Sequence, residues 1–394
     1  MNVSFLFRWL FAALMSASCG AAFATPYIPK DGKQVLEHLP SRADPVQREL
    51  MQLRAALSAN PNDLARAAAL AQRYIEQARI EGDPRYLGYA QAALAPWWKL
   101  PQPPNQVLVL RATLRQSTHQ FQAALADLDT VLKQDSGNVQ AWLTRATVQQ
   151  VIGDYAGAKA SCMRLTMRAP SLVTQTCLAN VASVNGDGRA SYARLKATLE
   201  RQPDIDPNLR SWVETLMAEM AARLGEDADA EALYRKALAA GEPDSYLLGA
   251  WSDYLLDHGR AAEVVKLLKD KGRVDALLLR YAIALKTLGA PDAKAQADAL
   301  RARFDAAMLR GDTVHQREQA RFELALRGDP KAAVKLAMLN WAVQKEPADL
   351  RILVESAAAS GDPAASKAAL DWIAQTRIED RAIAARAAKL KGAP

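Results

Sequence analysis

The chain repeats a glycine-led turn at regular intervals. The turn at Gly153 is followed by another at Gly186, and the turn at Gly225 by another at Gly259. Gly153 and Gly225 are each followed, five residues later, by an alanine. A period of about 34 residues is typical of arrays in which one repeat is a pair of helices that buries its apolar face only against its neighbours. This repeat constrains the possible fold more than any other feature of the sequence.

The composition supports helices over strands. Of the 394 residues, 79 are alanine and 51 are leucine, whereas aromatic residues make up only 6%. Alanine and leucine are among the strongest helix formers, while strands favour β-branched and aromatic residues. With half of the residues hydrophobic, the chain has enough apolar surface to fold. We therefore predict an all-α protein.

Two segments carry the repeat most clearly. The copy that runs over residues 139–172 supplies Trp142, Ala146, Gly153, Asp154, Tyr155, Ala158, Leu165 and Pro170. The copy over residues 211–244 supplies Ala218, Gly225, Ala230, Tyr234, Ala237 and Leu238. Small residues at the crossing let two helices approach closely, glycine ends the first helix in the left-handed conformation, and aspartate caps the second.

This pattern resembles the tetratricopeptide repeat (TPR), a helix-turn-helix unit of about 34 residues. The resemblance implies an α-solenoid of antiparallel helix pairs, a TPR-like superhelix in which each repeat contacts mainly the next. Three further segments, Tyr86–Tyr89, Pro96–Trp98 and Gly311–His315, resemble a set of exported bacterial repeat proteins. That likeness implies no particular activity.

The expected organisation has five parts. Residues 1–24 form a signal peptide, and residues 25–61 form an N-terminal arm and a first helix. Residues 62–104 hold a degenerate first helical pair and a linker rich in proline and tryptophan. The core TPR array spans residues 105–274, and residues 275–394 form degenerate TPR-like pairs with a C-terminal capping helix.

The N-terminus has the pattern of a secretory signal. One arginine and no acid precede an apolar run from Trp9 to Ala24, which ends in Ala22-Phe23-Ala24. The small residues at 22 and 24 fit signal peptidase cleavage after Ala24. The run is shorter than a bilayer span, which needs about 20 apolar residues, so we expect a periplasmic protein without a stable membrane span. The alternative is a lipoprotein anchored at Cys19, although Ser16 stands where leucine is usual.

Two cysteines, Cys162 and Cys177, remain after cleavage at this site. They lie at equal distances from the Ala169-Pro170 turn, so antiparallel helices on either side of the turn place them at the same height. In an oxidising compartment this geometry favours a disulfide. Two buried free thiols are the alternative.

The sequence lacks the local motifs of an enzyme. It has no His-Glu-x-x-His, Gly-x-Ser-x-Gly or P-loop pattern. The four histidines (His38, His119, His258 and His315) are far apart in sequence, so no local metal site is encoded. We therefore expect a non-catalytic protein that needs no cofactor or metal. An enzyme whose site is assembled from distant residues is the less favoured alternative.

In the family that the chain resembles, partners bind to the concave groove formed by the first helix of each pair. The corresponding residues here are Gln106, Val109, Thr113, Gln116, Gln140, Leu143, Thr147, Gln150, Trp212, Glu219, Tyr246 and Asp253. None of the positions that grip a peptide carboxylate in the family's clamp variants carries Lys, Asn or Arg. The neutral, mixed face suits an extended peptide or a helix. The alternative is that some of these residues only pack the array.

These observations favour a protein–protein interaction scaffold or assembly factor of the bacterial cell envelope. Its partner is an envelope or secreted protein, and no nucleic acid partner is expected for an exported chain. The second hypothesis is a glycan- or peptidoglycan-associated binder that uses Trp97 and Trp98 as an aromatic platform. These tryptophans lie where four prolines in nine residues predict an irregular loop. They equally suit a loop that is fastened onto the core.

Overall fold

The computed structural model describes residues 31, 33–34 and 44–391. The predicted signal peptide with Cys19, and most of the arm before Asp44 with His38, lie outside the described residues. Contacts divide the chain into two units, Met1–Met51 and Gln52–Pro394. The packing described below is that of the second unit.

The described residues form 21 α-helices and contain no strand, which confirms the all-α prediction. The first ten helices are α1 Pro45–Ala59, α2 Leu64–Glu81, α3 Arg85–Ala93, α4 Ala95–Trp98, α5 Asn105–Ser117, α6 Phe121–Gln134, α7 Val139–Val151, α8 Tyr155–Met163, α9 Ser171–Ser183 and α10 Gly188–Glu200. The next are α11 Pro207–Leu224, α12 Asp227–Ala239, α13 Ser245–Asp257, α14 Ala261–Leu268, α15 Asp275–Thr287 and α16 Ala293–Leu309. The last are α17 Gln316–Phe322, α18 Pro330–Val343, α19 Pro347–Ser360, α20 Pro363–Thr376 and α21 Arg381–Lys391, with a π-helical turn over Glu323–Arg327.

Consecutive helices pack as antiparallel pairs. The pairs are α2 with α3, α5 with α6, α7 with α8, α9 with α10, α11 with α12, α13 with α14, α15 with α16, α17 with α18 and α19 with α20. The predicted repeat of helix pairs is therefore confirmed.

The pair α7–α8 shows why these residues fold in this way. Gly153 has a φ of +85° between the helices, a conformation that other residues adopt at a cost. The Asp154 carboxylate accepts a hydrogen bond from the Gly157 backbone nitrogen at 2.9 Å and so caps α8. Ala146 and Ala158 are both buried at the crossing. Each of these roles follows the expectation from the repeat pattern.

The bond between Cys162 on α8 and Cys177 on α9 joins two neighbouring pairs. Their α-carbons are 5.6 Å apart, in agreement with equal heights on two antiparallel helices. Both side chains are buried beside Leu165 and Val181. The predicted disulfide is thus present in the structure.

Contacts are not confined to neighbouring repeats, so the expected nearest-neighbour packing is only part of the fold. The Lys345 backbone nitrogen donates to the Val151 carbonyl oxygen at 2.7 Å. The Glu379 carboxylate accepts a hydrogen bond from the Gly188 backbone nitrogen at 2.9 Å. The C-terminal helices therefore pack on the turns of α7–α8 and α9–α10. This is possible because glycine in these turns leaves room for another side chain.

A second long-range contact joins the first helical pair to a later one. The Arg79 guanidinium lies 2.5 Å from the Asp244 carboxylate, and the Ser245 hydroxyl donates to the Arg79 carbonyl oxygen at 2.9 Å. A β-carbon on Gly82 would lie only 2.7 Å from the Val274 side chain. The second unit is thus held together by contacts between distant pairs as well as between neighbours.

The loop expected at the proline-rich segment begins with a short helix, Ala95–Trp98, so that expectation was wrong in part. Pro96 lies in the first turn of this helix. A helix does not use the backbone N–H groups of its first turn, so proline is tolerated there. The later prolines at 101, 103 and 104 lie outside helices, and α5 begins at Asn105.

The disulfide should contribute measurable stability. Its cysteines are 15 residues apart, and closing a loop of this length is worth about 3 kcal/mol in the chain-entropy model. We expect reductant to lower the urea midpoint of the wild-type chain. The double variant Cys162→Ala, Cys177→Ala should show the lower midpoint with or without reductant. An equal midpoint for oxidised and reduced wild type would contradict the expected stabilisation.

The contact between the C-terminal helices and the α7–α8 turn can be tested by adding one methyl group. A β-carbon on Gly153 would lie 2.6 Å from the Trp372 ring, whereas one on Gly259 meets nothing within 4 Å. Both glycines have positive φ, so each alanine variant should lose about 1 kcal/mol of stability from the backbone. Gly153→Ala should lose about 1–3 kcal/mol more from the clash.

Thermal unfolding of the two variants measures this difference. In a Trp372→Ala background the additional loss at Gly153 should disappear. If Gly153→Ala and Gly259→Ala are equally stable, the contact between Trp372 and this turn is not formed in solution.

Candidate functional site

A cavity of about 470 Å³ lies between two groups of helices in the second unit. Helices α11, α12, α13 and α15 line one side, and α17, α19 and α21 line the other. Its wall carries seven arginines: Arg223, Arg280, Arg317, Arg321, Arg351, Arg381 and Arg386. It also carries seven acids: Glu219, Asp227, Asp253, Asp257, Glu318, Glu355 and Asp380. The cavity is therefore dense in charge but balanced in sign.

Asp253 ties three helices together at this cavity. Its carboxylate lies 2.5 Å from the Arg280 guanidinium of α15 and 2.6 Å from that of Arg321 on α17. Burial alone would raise the pKa of Asp253, but the two guanidinium groups outweigh burial and hold the pKa far below its usual range. Asp253 is therefore ionised at any physiological pH.

A second ionic group lies between α13, α19 and α21. Arg351 binds both oxygens of Asp257, at 2.6 Å each, which is the bidentate geometry that guanidinium groups favour. Arg351 and Arg386 also contact Glu355, at 2.9 and 2.6 Å. These pairs fasten the C-terminal helices to the array.

Glu219 and Arg223 of α11 are bound differently. Both oxygens of Glu219 lie 2.9 Å from the Tyr246 hydroxyl. Burial raises the pKa of Glu219 to about 6, although the charge of Arg223 and the hydrogen bond from Tyr246 lower it. Arg223 donates to the Ser183 hydroxyl at 3.1 Å. Within the described residues neither side chain forms an ion pair.

The predicted groove residues divide into two sets. Glu219 and Asp253 line the charged cavity, and Tyr246 is bound to Glu219. Trp212 and Tyr246 remain exposed. Among the earlier predicted residues, Gln106, Gln140 and Thr147 are exposed, Thr113, Gln116, Leu143 and Gln150 are partly exposed, and Val109 is buried.

The earlier set forms bonds only within the array. The hydroxyls of Thr113 and Thr147 each donate, at 3.1 Å, to a carbonyl oxygen of their own helix. Gln150 accepts a hydrogen bond from the Asn180 side chain at 3.3 Å. Val109 packs in the core with Leu108 and Ala112. The fully exposed side chains on α5 and α7 are amides and hydroxyls, namely Gln106, Ser117, Gln140 and Thr147.

The adjacent tryptophans lie against the array. Trp97 and Trp98 are both half-buried. The Arg111 guanidinium carbon lies 5.8 Å from the centroid of the Trp98 ring, and Arg111 also donates to the Trp98 carbonyl oxygen. Arg111 is in turn bound to Asp127 at 2.7 Å. Trp98 thus fastens the short helix α4 to α5.

The two histidines at turns have different surroundings. His119 stacks on Phe121 with ring centroids 5.3 Å apart, and burial lowers its pKa. His258 lines the charged cavity, where its Nε2 lies 3.3 Å from Asp227 and its Nδ1 lies 2.8 Å from the Tyr254 carbonyl oxygen. Residues 44–391 contain no group of three or more His, Cys, Asp or Glu side chains placed to hold a metal ion. No helix in the described part of the chain is long and apolar enough to cross a membrane.

Sequence reasoning missed the arginines that line the cavity. Most of them lie on helices far along the chain from the groove positions of the repeat. The spacing of Arg317 and Arg321, four residues apart, is a local signal because it places both on one face of α17. It does not reveal that Asp253, from a much earlier helix, lies opposite.

No family model matches the chain, and no curated protein matches it in sequence. Solved structures that are similar to it include two repeat proteins. A tetratricopeptide repeat protein from Parabacteroides merdae ATCC 43184 is 12% identical, covering 79% of this chain and 92% of that one, with a TM-score of 0.27. The TPR domain of P58(IPK) is 15% identical, covering 88% and 97%, with a TM-score of 0.21. The assignment of the fold rests on the consecutive helix pairs of this chain.

The raised pKa of Glu219 predicts a pH-dependent cost to folding. Because the folded pKa is about 6 and an unfolded glutamate titrates near 4.3, the native state holds the proton more tightly. Stability from this group is therefore full at low pH and falls as the pH rises through about 4.3 to 6. Glu219→Gln should gain on the order of 1 kcal/mol over wild type at pH 7.5 relative to pH 4.

Urea unfolding at the two pH values measures this gain. Glu263→Gln is the matched control, because its hydrogen bond with Arg260 lowers the pKa of Glu263 and reverses the expected trend. A difference between wild type and Glu219→Gln that does not change with pH would argue against a raised pKa.

Proposed function

We propose that this protein is a non-catalytic interaction scaffold that takes up an extended segment of a partner protein. The observation that carries the proposal is the accessible polar face of α5 and α7, where Gln106, Gln140 and Thr147 are exposed. Amides and hydroxyls at regular intervals suit the backbone of an extended peptide, which offers a donor and an acceptor at each residue.

The same face of α5 and α7 offers a partner apolar contact as well as hydrogen bonds. Helices α5 and α7 belong to neighbouring pairs and contact each other, and we propose that their exposed residues act together as one binding surface. Leu143 adds a partly exposed apolar side chain between the polar ones. A peptide bound here contacts rigid helices and not loops, which limits the entropy lost on binding.

We further propose that the scaffold acts in the bacterial cell envelope on an envelope or secreted protein. The disulfide between Cys162 and Cys177 supports an oxidising compartment. The apolar run before Ala24 supports export. Sequencing of the purified protein should then find Thr25 as its first residue.

Site-specific photo-crosslinking tests the binding surface. A photoreactive amino acid at Gln140 or Thr147, in cells of the source organism, should capture the same envelope protein. The control position is Gln122, which is exposed on α6, the second helix of its pair. Equal capture from Gln122, or no capture from Gln140 and Thr147, would contradict binding on this face.

Cell walls isolated from the source organism test the second candidate function, which is glycan binding. The side chain of Trp97, unlike the backbone and ring of Trp98, has no hydrogen bond or ring contact among the described residues, so it is the better probe. Isolated cell walls should pellet wild type and Trp97→Ala equally if the protein is a scaffold. Pelleting that depends on Trp97 would favour the glycan hypothesis instead.

A further inference from the structure

Two charged side chains in the cavity between α11 and the C-terminal helices have no ion partner among the described residues. Asp253 holds Arg280 and Arg321, and other carboxylates hold Arg317, Arg351, Arg381 and Arg386. Glu219 and Arg223 stand apart, because neither forms an ion pair within the described residues. They lie four residues apart on α11, so they share one face of the helix.

Among the described residues, at least one oxygen of the Glu219 carboxylate has no hydrogen-bond donor. The Tyr246 hydroxyl lies 2.9 Å from both oxygens, but a hydroxyl carries only one proton and can donate to only one oxygen at a time. The raised pKa of Glu219 agrees with a carboxylate that has little compensation for burial. A ligand ammonium group would supply the missing donors.

Arg223, in contrast, has more hydrogen-bond donors than the described residues use. A guanidinium has five N–H donors, and the bond to the Ser183 hydroxyl at 3.1 Å uses one of them. Arg223 also lines the cavity, so its remaining donors are available to a ligand there. A carboxylate is the group that matches the planar fork of a guanidinium.

We propose that this cavity binds a short zwitterionic peptide, with its ammonium group at Glu219 and its carboxylate at Arg223. The cavity carries seven arginines and seven acids, so its charges balance and it does not favour a ligand of one sign. A ligand that carries both charges matches the two side chains, one of each sign, that form no ion pair among the described residues. The volume of about 470 Å³ lies within the range of about 300–1,000 Å³ that small-molecule sites occupy. This site is separate from the partner surface on α5 and α7 and does not depend on it.

Calorimetric titration of the full chain with small peptides tests the proposal without any mutation. The probes are Ala-Ala, N-acetyl-Ala-Ala and Ala-Ala-amide at neutral pH and low salt. Ala-Ala should bind, and capping either end should weaken binding about tenfold or more, because each cap removes a charge-assisted hydrogen bond. Absence of binding at millimolar Ala-Ala, or a loss on capping only one end, overturns the zwitterion assignment.

Variants at the two side chains then assign each end of the peptide. Glu219→Gln should abolish the preference for a free ammonium group and keep the preference for a free carboxylate. Arg223→Gln should abolish the preference for a free carboxylate and keep the preference for a free ammonium group. Glu263→Gln and Arg235→Gln are matched controls outside the cavity lining and should bind all three probes as wild type does. If the two cavity variants keep both preferences, the peptide binds elsewhere and the proposal fails.

Discussion

Close helix crossings at alanine set the geometry on which everything else in this protein depends. Ala146 and Ala158 meet in α7–α8, and Ala218 and Ala230 occupy the same places in α11–α12, all four buried. A methyl side chain at the crossing brings two helices together at little cost in side-chain entropy. The large residues are then placed between pairs, as with Trp142, which packs against two adjacent core clusters.

The turns between paired helices have a second use. Glycine is favoured there because φ is positive, and its lack of a side chain also lets the C-terminal helices approach. At Gly153 the approaching group is Trp372, at Gly186 it is the backbone of Thr376, and at Gly225 it is Arg381. Three successive turns thus form a surface for α20, α21 and the segment between them. Glycine, which suits the local conformation of these turns, thus also permits packing against helices that are distant in sequence.

The features that act within one repeat could be predicted from the sequence, but the contacts between distant helices could not. Period, capping and crossing residues act within one repeat or between adjacent ones, so the turn at Gly153 and the cap at Asp154 follow from spacing. The disulfide follows from spacing together with the expectation of an oxidising compartment. The contact between Glu379 and the first residue of α10, Gly188, joins the C-terminal segment to the middle of the array, and no pattern within one repeat encodes it. The candidate site shows the same division. The repeat placed Glu219 and Asp253 on one face, but the arginines opposite come from helices that fold back.

The charges of the cavity are difficult to explain by stability alone. A buried ion pair loses hydration on folding, and replacing such a pair by well-packed apolar residues is often neutral or stabilising. The pairs at Asp253 and Asp257 do fix the positions of α17, α19 and α21 relative to α13, which accounts for them as connectors. Among the described residues Glu219 and Arg223 form no ion pair, and burial of Glu219 opposes its ionisation. They do join α11 to α13 and α9 through hydrogen bonds with Tyr246 and Ser183. A neutral side chain could form either bond without burying a charge, whereas recognition of a ligand with both charges uses a glutamate and an arginine.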